Sequence, residues 1–208
     1  LTEDEERTVQ AYCHDKGVIY LSTPFSREAA DRLDAMGVPA FKIGSGECNN
    51  IPLLDHIAAF GKPMILSTGM NDLESVKRSV DVVRKHKVPL ALMHCTSMYP
   101  TPYEKVRLGA VSQLIEEFPG LPIGLSDHSI NIWTCLGAVA LGASLVEKHF
   151  TPSRSWAGPD VGISIEPDEL KRMIDGTKAI WQARDGEKTV LDEEKPVIDF
   201  AYATVVTI

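Results

Sequence analysis

The sequence lacks the segments that direct a protein to a membrane or out of the cell. No uninterrupted apolar stretch approaches the roughly 20 residues that a helix needs to span a bilayer. The first residues, Leu1-Thr-Glu-Asp-Glu-Glu6, are acidic where a secretory signal is basic and then apolar. We therefore expect a cytoplasmic protein with no membrane partner.

Cysteines are few, and acidic residues outnumber basic ones. The four cysteines lie far apart, without the paired spacing of a zinc site or redox motif, so we expect reduced thiols within the fold. The formal net charge is -8, and Lys and Arg are scattered along the chain. No basic stripe is present to hold a phosphate backbone, and nucleic acid is not expected as a partner.

What the sequence does contain is a repeated unit of a short apolar run, a polar tip and a helical stretch. Near-continuous apolar runs are typical of strands covered on both faces. Their strict alternation with helices predicts a parallel α/β sheet, open or closed, in one globular domain. The runs are residues 18–22, 40–43, 64–67, 90–94, 123–126 and 145–149.

Helix signals fill the intervals between the runs. The capping box Asn71-x-x-Glu74 predicts a helix over 72–87, and a proline at the start of 167–184 predicts another. Residues 2–16 also predict a helix, with no strand before it, and 199–206 has the pattern of a strand. Two earlier βα units would complete the eight of a TIM barrel, whose catalytic groups lie at the C-terminal ends of its strands.

Two histidines end neighbouring apolar runs in the same position, His128 after Ile123-Gly-Leu-Ser-Asp127 and His149 after Leu145-Val-Glu-Lys148. Parallel neighbouring strands lie about 4.8 Å apart and end at one edge, so the two imidazoles can converge on a divalent metal. His94 also ends a run. For this histidine, a role in supporting the metal ligands is as compatible with the sequence as direct metal binding. The remaining histidines fall in helical stretches and are not expected as ligands: His14, His56 and His86.

Small polar residues at the ends of the runs predict an anion pocket. Hydroxyls and glycines there let backbone N–H groups approach a phosphate or carboxylate. A lysine ammonium about 4 Å from the anion adds on the order of 4 kcal/mol of electrostatic attraction at an effective dielectric of 20. Any one of these residues alone is more often part of a turn. The candidates are Thr23, Lys42, Ser45, Glu47, Ser67 and Ser126.

Lys42 lies inside an otherwise apolar run, where an unpaired ammonium is costly to bury. It therefore requires an anionic partner. A bound ligand and a carboxylate such as Glu47 or Glu147 are equally compatible with the spacing. Schiff-base chemistry at this lysine is a further alternative.

In these segments the chain resembles the sialic acid synthases, the family that makes N-acetylneuraminate and related nonulosonates. The likeness runs from about Gly17 to Val206, and the matching segments follow the order of the family. They are Ser22-Thr-Pro-Phe-Ser26, Phe41-Lys-Ile-Gly-Ser-Gly-Glu47, Ser67-Thr-Gly-Met70, His94-Cys-Thr-Ser97 with Tyr99-Pro-Thr-Pro102, Gly124-Leu-Ser-Asp-His128, Glu147-Lys-His-Phe150 and Gly158-Pro-Asp160.

The resemblance implies a barrel enzyme that condenses phosphoenolpyruvate with N-acetylmannosamine or a related N-acetylated amino sugar aldehyde and releases phosphate by C–O cleavage. It implies Mn²⁺ or Mg²⁺ at His128 and His149, with the metal and His149 serving the chemistry. It implies that Glu47, Tyr99 and Asp160 face the sugar and the reacting centre, with Glu47 as the acid/base group. The implied phosphoenolpyruvate site is Thr23, Lys42, Ser45, Ser67, Ser126 and Ser97, where some members carry asparagine in place of Ser97.

The first two barrel strands of the family, which bring an acidic residue and a second lysine, have no counterpart in these 208 residues. The family's C-terminal antifreeze-like domain has no counterpart here either. In the family's homodimer, an arginine of that domain reaches the active site of the partner. We therefore expect residues 1–188 to form barrel strands 3–8, and residues 189–208 to form a linker and the start of a further domain. Two other functions stay open: a lysine Schiff-base aldolase, and an inactive relative with a binding role in surface polysaccharide synthesis.

Overall fold

The computed structural model describes residues 2–202, and the side chain of the last of these is not described. Five parallel strands alternate with helices along this part of the chain. The strands are β1 (Phe41–Ile43), β2 (Met64–Ser67), β3 (Leu90–Cys95), β4 (Ile123–Asp127) and β5 (Leu145–Lys148). The helices are α1 (Glu3–Asp15), α2 (Arg27–Ala35), α3 (Ile51–Ala58), α4 (Leu73–Lys85), α5 (Tyr103–Val106), α6 (Gly109–Glu117), α7 (Trp133–Ala140), α8 (Pro167–Ala183) and α9 (Lys195–Tyr202).

The strands lie in one sheet in the order β1-β2-β3-β4-β5, and every neighbouring pair is parallel. This sequential order requires a crossover between each pair of strands, which the intervening helices provide. The sheet curls as half of a barrel. The predicted parallel α/β class is confirmed.

The two faces of the sheet differ in chemistry. One face packs against the helices, and its side chains form a continuous apolar core, each contributing about 1.5–3 kcal/mol through burial. That core includes Phe41, Ile43, Met64, Leu66, Leu92 and Leu125 from the strands and Leu33, Leu54, Ile57, Val80 and Leu114 from the helices. The other face is lined near the C-terminal strand ends by Lys42, Ser67, Cys95, Ser126 and Glu147. Because side chains alternate along a strand, one set of strands supplies both the core and the polar surface.

Five of the six predicted strands are found, but the strand predicted over residues 18–22 is wrong. These residues are extended and form no ladder with β1. Tyr20 and Ser22 instead donate hydrogen bonds to the carboxylate of Glu6 on α1, at 3.0 and 3.3 Å. An apolar run becomes a strand only where a neighbouring backbone completes the ladder, and among the described residues β1 pairs with β2 alone.

Two further details differ from the sequence prediction. The strand predicted over residues 199–206 is wrong for residues 199–202, which are the last residues of helix α9. The rest of that prediction lies outside the described residues. Helix α4 is capped by Asp72, whose side chain accepts a hydrogen bond from Ser75 N at 2.8 Å, and not by Asn71. The amide of Asn71 donates to the carbonyl of Ser45 at 3.0 Å, so it ties two strand-end loops together.

The other helix boundaries agree with their signals. Thr2 and Glu5 form the capping box that opens α1, and Pro167 is the first residue of α8. None of the helices within residues 2–202 combines the length and apolar character needed to cross a membrane.

Replacement of Gly124 by alanine is expected to destabilise the fold by about 1–3 kcal/mol, the usual cost of overpacking. A Cβ at this position would lie 2.6 Å from the carbonyl oxygen of Leu145, its register partner on β5, so the two strands would have to separate. Urea denaturation followed by circular dichroism measures the change.

The matched control is Gly109→Ala at the start of α6, where an added Cβ meets no atom within 4 Å. Alanine is a better helix former than glycine, so stability should stay equal or rise slightly. Equal stability of the two variants would contradict the close approach of β4 and β5.

Candidate active site

A cleft of about 500 Å³ opens at the C-terminal ends of the strands on the polar face of the sheet. It gathers side chains that lie up to 126 positions apart in the sequence, from Thr23 to His149. Nine of the predicted site residues line it: Thr23, Lys42, Ser45, Ser67, Ser97, Tyr99, Ser126, His128 and His149. The cleft therefore joins the predicted anion pocket to the predicted metal ligands.

The Lys42 ammonium is held at the floor of this cleft. Its Nζ donates to the Ser67 hydroxyl at 2.7 Å and lies 3.4 Å from Oε2 of Glu147. The Lys42 side chain is only 12% exposed, which makes an anionic neighbour necessary. Of the two carboxylates considered from the sequence, Glu147 is the partner and Glu47 is not.

Glu147 is the carboxylate within the cleft, a position that the sequence analysis assigned only as a possible partner of lysine. Its Oε1 accepts a hydrogen bond from the Ser126 hydroxyl at 2.7 Å, and its side chain is 44% exposed. The signal was available in the sequence, because Glu147 stands two residues before His149 and shares its face of the strand. The lysine is therefore paired by a carboxylate that solvent and ligands can reach.

Gly69 brings two serines close to the backbone after β2. Its N–H donates to the Ser45 hydroxyl at 3.0 Å. A Cβ on this glycine would lie 2.6 Å from the hydroxyl oxygen of Ser97 and 2.8 Å from that of Ser45. Only a residue without a side chain lets both hydroxyls converge here.

The two imidazoles converge at the other end of the cleft, with ring centroids 5.2 Å apart. Nδ1 of His128 lies 3.0 Å from the carbonyl oxygen of Thr96. A carbonyl only accepts, so Nδ1 carries the hydrogen and Nε2 keeps its lone pair, the arrangement in which histidine binds a metal. The ring of Tyr99 stacks on His128 at 4.1 Å between centroids and meets His149 edge-on at 5.8 Å.

Asp160 lies outside the cleft lining but beside its second histidine. Its Oδ2 is 3.7 Å from Nδ1 of His149. Its position in the loop after β5 holds a carboxylate at the edge of the site, next to the imidazole pair.

The residues fit a divalent metal with two protein ligands. Imidazole nitrogen binds divalent first-row metals, and the open positions of a catalytic site take the water and substrate oxygens that Mn²⁺ and Mg²⁺ prefer. Within residues 2–202 no group of three or more His, Cys, Asp or Glu side chains is close enough to enclose a metal. An ion held by His128 and His149 would thus keep most of its coordination positions free.

The two histidines differ in proton affinity. Burial disfavours protonation of His128, but its hydrogen bonds to Cys95 and to Thr96 outweigh burial, and its pKa is raised. Burial and the neighbouring His128 lower the pKa of His149. In the same way, burial works to raise the pKa of the Cys95 thiol, but its contacts with His128 and Ser45 prevail and lower it. Cys95 lines the cleft and was missed by the sequence analysis.

Two further candidates from the sequence lie outside the cleft. Glu47 ends the short 3-10 turn Ser45–Glu47, and its carboxylate accepts a hydrogen bond from the Asn50 amide at 2.6 Å. His94 is buried on the helix side of β3, where Nε2 donates to the carbonyl of Val106 at 2.7 Å. His94 therefore supports helix α5 and not the imidazole pair.

The parallel half-barrel sheet carries a lysine, hydroxyls and an imidazole pair at its C-terminal edge, where barrel enzymes place their active sites. Residues 1–189 match the NeuB family model, and the chain belongs to this family. The predicted membership of the sialic acid synthase family is confirmed.

Individual relatives agree with this assignment. The N,N'-diacetyllegionaminic acid synthase of Legionella pneumophila is 38% identical over 203 residues, covering 95% of this chain and 57% of that protein. An uncharacterized protein of Methanocaldococcus jannaschii is 39% identical over 208 residues, covering 99% of this chain and 61% of that protein. The crystal structure of a sialic acid synthetase from Leptospira borgpetersenii, in complex with citrate, superposes with a TM-score of 0.90 at 32% identity, covering 100% of this chain and 73% of that one. The chain thus spans about three fifths of the length of these two sequence relatives.

In the metal-free protein, His128 is expected to take up a proton at higher pH than His149, because its pKa is raised and that of His149 is lowered. Cys95→Ala removes one of the contacts that raise the pKa of His128, so that pKa should fall. Two-dimensional ¹H–¹⁵N NMR titration of the imidazoles measures both values. Protonation of His149 before His128 would contradict the hydrogen-bond assignment.

Proposed function

We propose that this chain carries the barrel active site of a nonulosonic acid synthase, which condenses phosphoenolpyruvate with N-acetylmannosamine or a related N-acetylated amino sugar. The observation that carries the proposal is one cleft in which Lys42 and four serine hydroxyls face a pair of imidazoles. The proposal includes a TIM barrel in which β1–β5 are strands 4–8, with the residues after 188 leading to an antifreeze-like domain, in a cytoplasmic homodimer.

In the proposed complex, phosphoenolpyruvate occupies the lysine end of the cleft. The ammonium of Lys42 and the hydroxyls of Thr23, Ser45, Ser67, Ser97 and Ser126 bind its phosphate and carboxylate. Each charge-assisted hydrogen bond of this kind contributes about 1.5–3 kcal/mol. The Ser126 hydroxyl then turns its one O–H from Glu147 to the ligand, and Lys42 turns toward the ligand as well.

The sugar aldehyde occupies the imidazole end, between Tyr99 and Asp160. A Mn²⁺ or Mg²⁺ ion held by His128 and His149 would polarise the aldehyde oxygen as a Lewis acid. The cleft orients C3 of phosphoenolpyruvate toward the aldehyde carbon, and a new C–C bond forms between them. Water adds to C2, the C2–O bond to phosphate breaks, and inorganic phosphate leaves with the bridging oxygen.

A carboxylate is needed to take the proton of the attacking water. Glu47 is the group that the family resemblance implies, although here its carboxylate is turned toward Asn50. Glu147 is the second candidate, since it lines the cleft beside Lys42. Glu47→Gln and Glu147→Gln, compared for kcat at saturating substrates, separate the two assignments: the variant of the proton acceptor loses kcat with little change in KM.

The function is tested in the longest form of the protein that contains this chain, with phosphoenolpyruvate labelled with ¹⁸O at the bridging position. We expect phosphate release only when phosphoenolpyruvate, a 2-acetamido sugar and Mn²⁺ or Mg²⁺ are all present, with the label in the phosphate because the C–O bond breaks. His149→Ala should abolish turnover. Release of unlabelled phosphate, or no turnover with any such sugar, would refute the proposal.

Lys42→Met is expected to weaken phosphoenolpyruvate binding about 10- to 150-fold, the equivalent of one charge-assisted hydrogen bond. Isothermal titration calorimetry measures the Kd. Lys62→Met is the matched control, because Lys62 pairs with Asp34 away from the cleft. Borohydride trapping of pyruvate on the parent but not on Lys42→Met would instead identify a Schiff-base lysine and contradict the assignment of Lys42 to anion binding.

A further inference from the structure

A buried ion pair lies behind the two histidines. Lys148 Nζ is 2.6 Å from Asp127 Oδ2, and each side chain is 1% exposed. The two residues are register partners across β4 and β5. Because strand side chains alternate, this pair points to the helix side of the sheet, while the preceding pair, Ser126 and Glu147, points into the cleft.

Hydrogen bonds anchor the ion pair to the turn that follows His128. The Asp127 carboxylate accepts from Ser129 N at 3.2 Å and from the Ser129 hydroxyl at 2.9 Å. Lys148 also donates to the Ser129 carbonyl. The Ser129 hydroxyl in turn lies 2.8 Å from that of Thr134, in the first turn of α7. One network therefore joins the end of β4, the end of β5 and the start of a helix.

Stability does not explain this arrangement. The desolvation of two fully buried charges offsets most or all of their attraction, so a neutral pair of similar size would serve the fold as well. What the ion pair does provide is a fixed distance between two strand ends. Each of its members directly precedes a cleft histidine in the sequence, Asp127 before His128 and Lys148 before His149.

We propose that Asp127 and Lys148 are positioning residues that set the separation and orientation of the His128 and His149 imidazoles. The inference rests on the proposed function, because it assumes that this imidazole pair binds the divalent metal. The His149 backbone is also fixed beyond the pair, where its carbonyl accepts from Ile165 N at 2.9 Å. The ion pair thus completes the support of both ligands from the side opposite the cleft.

The test is the Mn²⁺ affinity of the double variant Asp127→Asn/Lys148→Met, measured by electron paramagnetic resonance titration. The double change removes both charges together, so neither is left buried and unpaired. We expect a folded protein with an unfolding midpoint near that of the parent and Mn²⁺ binding weakened about 10- to 100-fold, the effect typical of groups that orient metal ligands. The visible spectrum of bound Co²⁺ should shift as well, because the coordination geometry changes.

Asp34→Asn/Lys62→Met is the matched control. This pair joins α2 to the loop before β2 at 2.7 Å, away from the cleft, and its removal should leave Mn²⁺ affinity and the Co²⁺ spectrum unchanged. A second variant, Ser129→Ala, keeps both charges and loosens only the support of Asp127. It should weaken Mn²⁺ binding in the same direction, and it keeps the inference testable if the double variant does not fold.

The outcomes separate the two proposals. If the parent binds Mn²⁺ and either folded variant, the double variant or Ser129→Ala, binds it equally well with the parent's Co²⁺ spectrum, the positioning role is wrong and the metal site stands. If the parent itself binds no Mn²⁺ while phosphoenolpyruvate still binds, the metal site is wrong and the positioning role falls with it. Weaker Mn²⁺ binding in the double variant and Ser129→Ala, but not in Asp34→Asn/Lys62→Met, supports both the metal site and the positioning role.

Discussion

The register of β4 against β5 is the constraint on which the cleft depends. It pairs Ser126 with Glu147 and Asp127 with Lys148, so successive pairs point into the cleft and then toward the helices. The next residues of the two strands, His128 and His149, return to the cleft side. A slip of one residue would turn every one of these side chains to the opposite face. Contacts on both faces oppose such a slip: a hydrogen bond of 2.7 Å between Ser126 and Glu147 on the cleft side, and an ion pair of 2.6 Å on the other.

The same register explains how an acidic chain presents a lysine inside the cleft. The formal net charge is -8, but distant charges are screened within about 8–10 Å, so the groups at the cleft floor decide what binds there. Lys42 is held between Ser67 and Glu147, and in the free protein the carboxylate neutralises it. A phosphate group would offer more acceptor oxygens than the Glu147 carboxylate and would reach the Gly69 loop as well. The lysine is thereby held in place without the ligand, beside a competing carboxylate that solvent already partly screens.

Much of this arrangement could be predicted from the sequence, because apolar runs and their polar tips are local signals. Five strands and seven cleft residues were predicted in this way, and Ser97 and Tyr99 followed only from the family resemblance. The errors have a common physical origin: local patterns do not specify the neighbour that completes a ladder or the rotation of a turn. Residues 18–22 have the apolar pattern of a strand but lack a ladder, and Glu47 follows the correct strand but ends a 3-10 turn that directs its carboxylate to Asn50. Cys95 and Glu147 were recoverable from alternation, since each shares the cleft face of its strand with residues that were predicted.

In the proposed metal site, the imidazole pair would link proton binding to metal binding. At 5.2 Å between centroids, the two rings disfavour a state in which both carry a charge, and the proton favours His128 because Thr96 and Cys95 hold its Nδ1 hydrogen. The lone pair that a metal needs is then the same Nε2 site that a proton occupies on acidification. Binding of the proposed metal would therefore release a proton whenever His128 is charged, and the metal affinity would fall as the pH drops through the raised pKa of His128. The hydrogen bond to Thr96 fixes which nitrogen faces the cleft, and through that choice a main-chain carbonyl determines where a cation can bind.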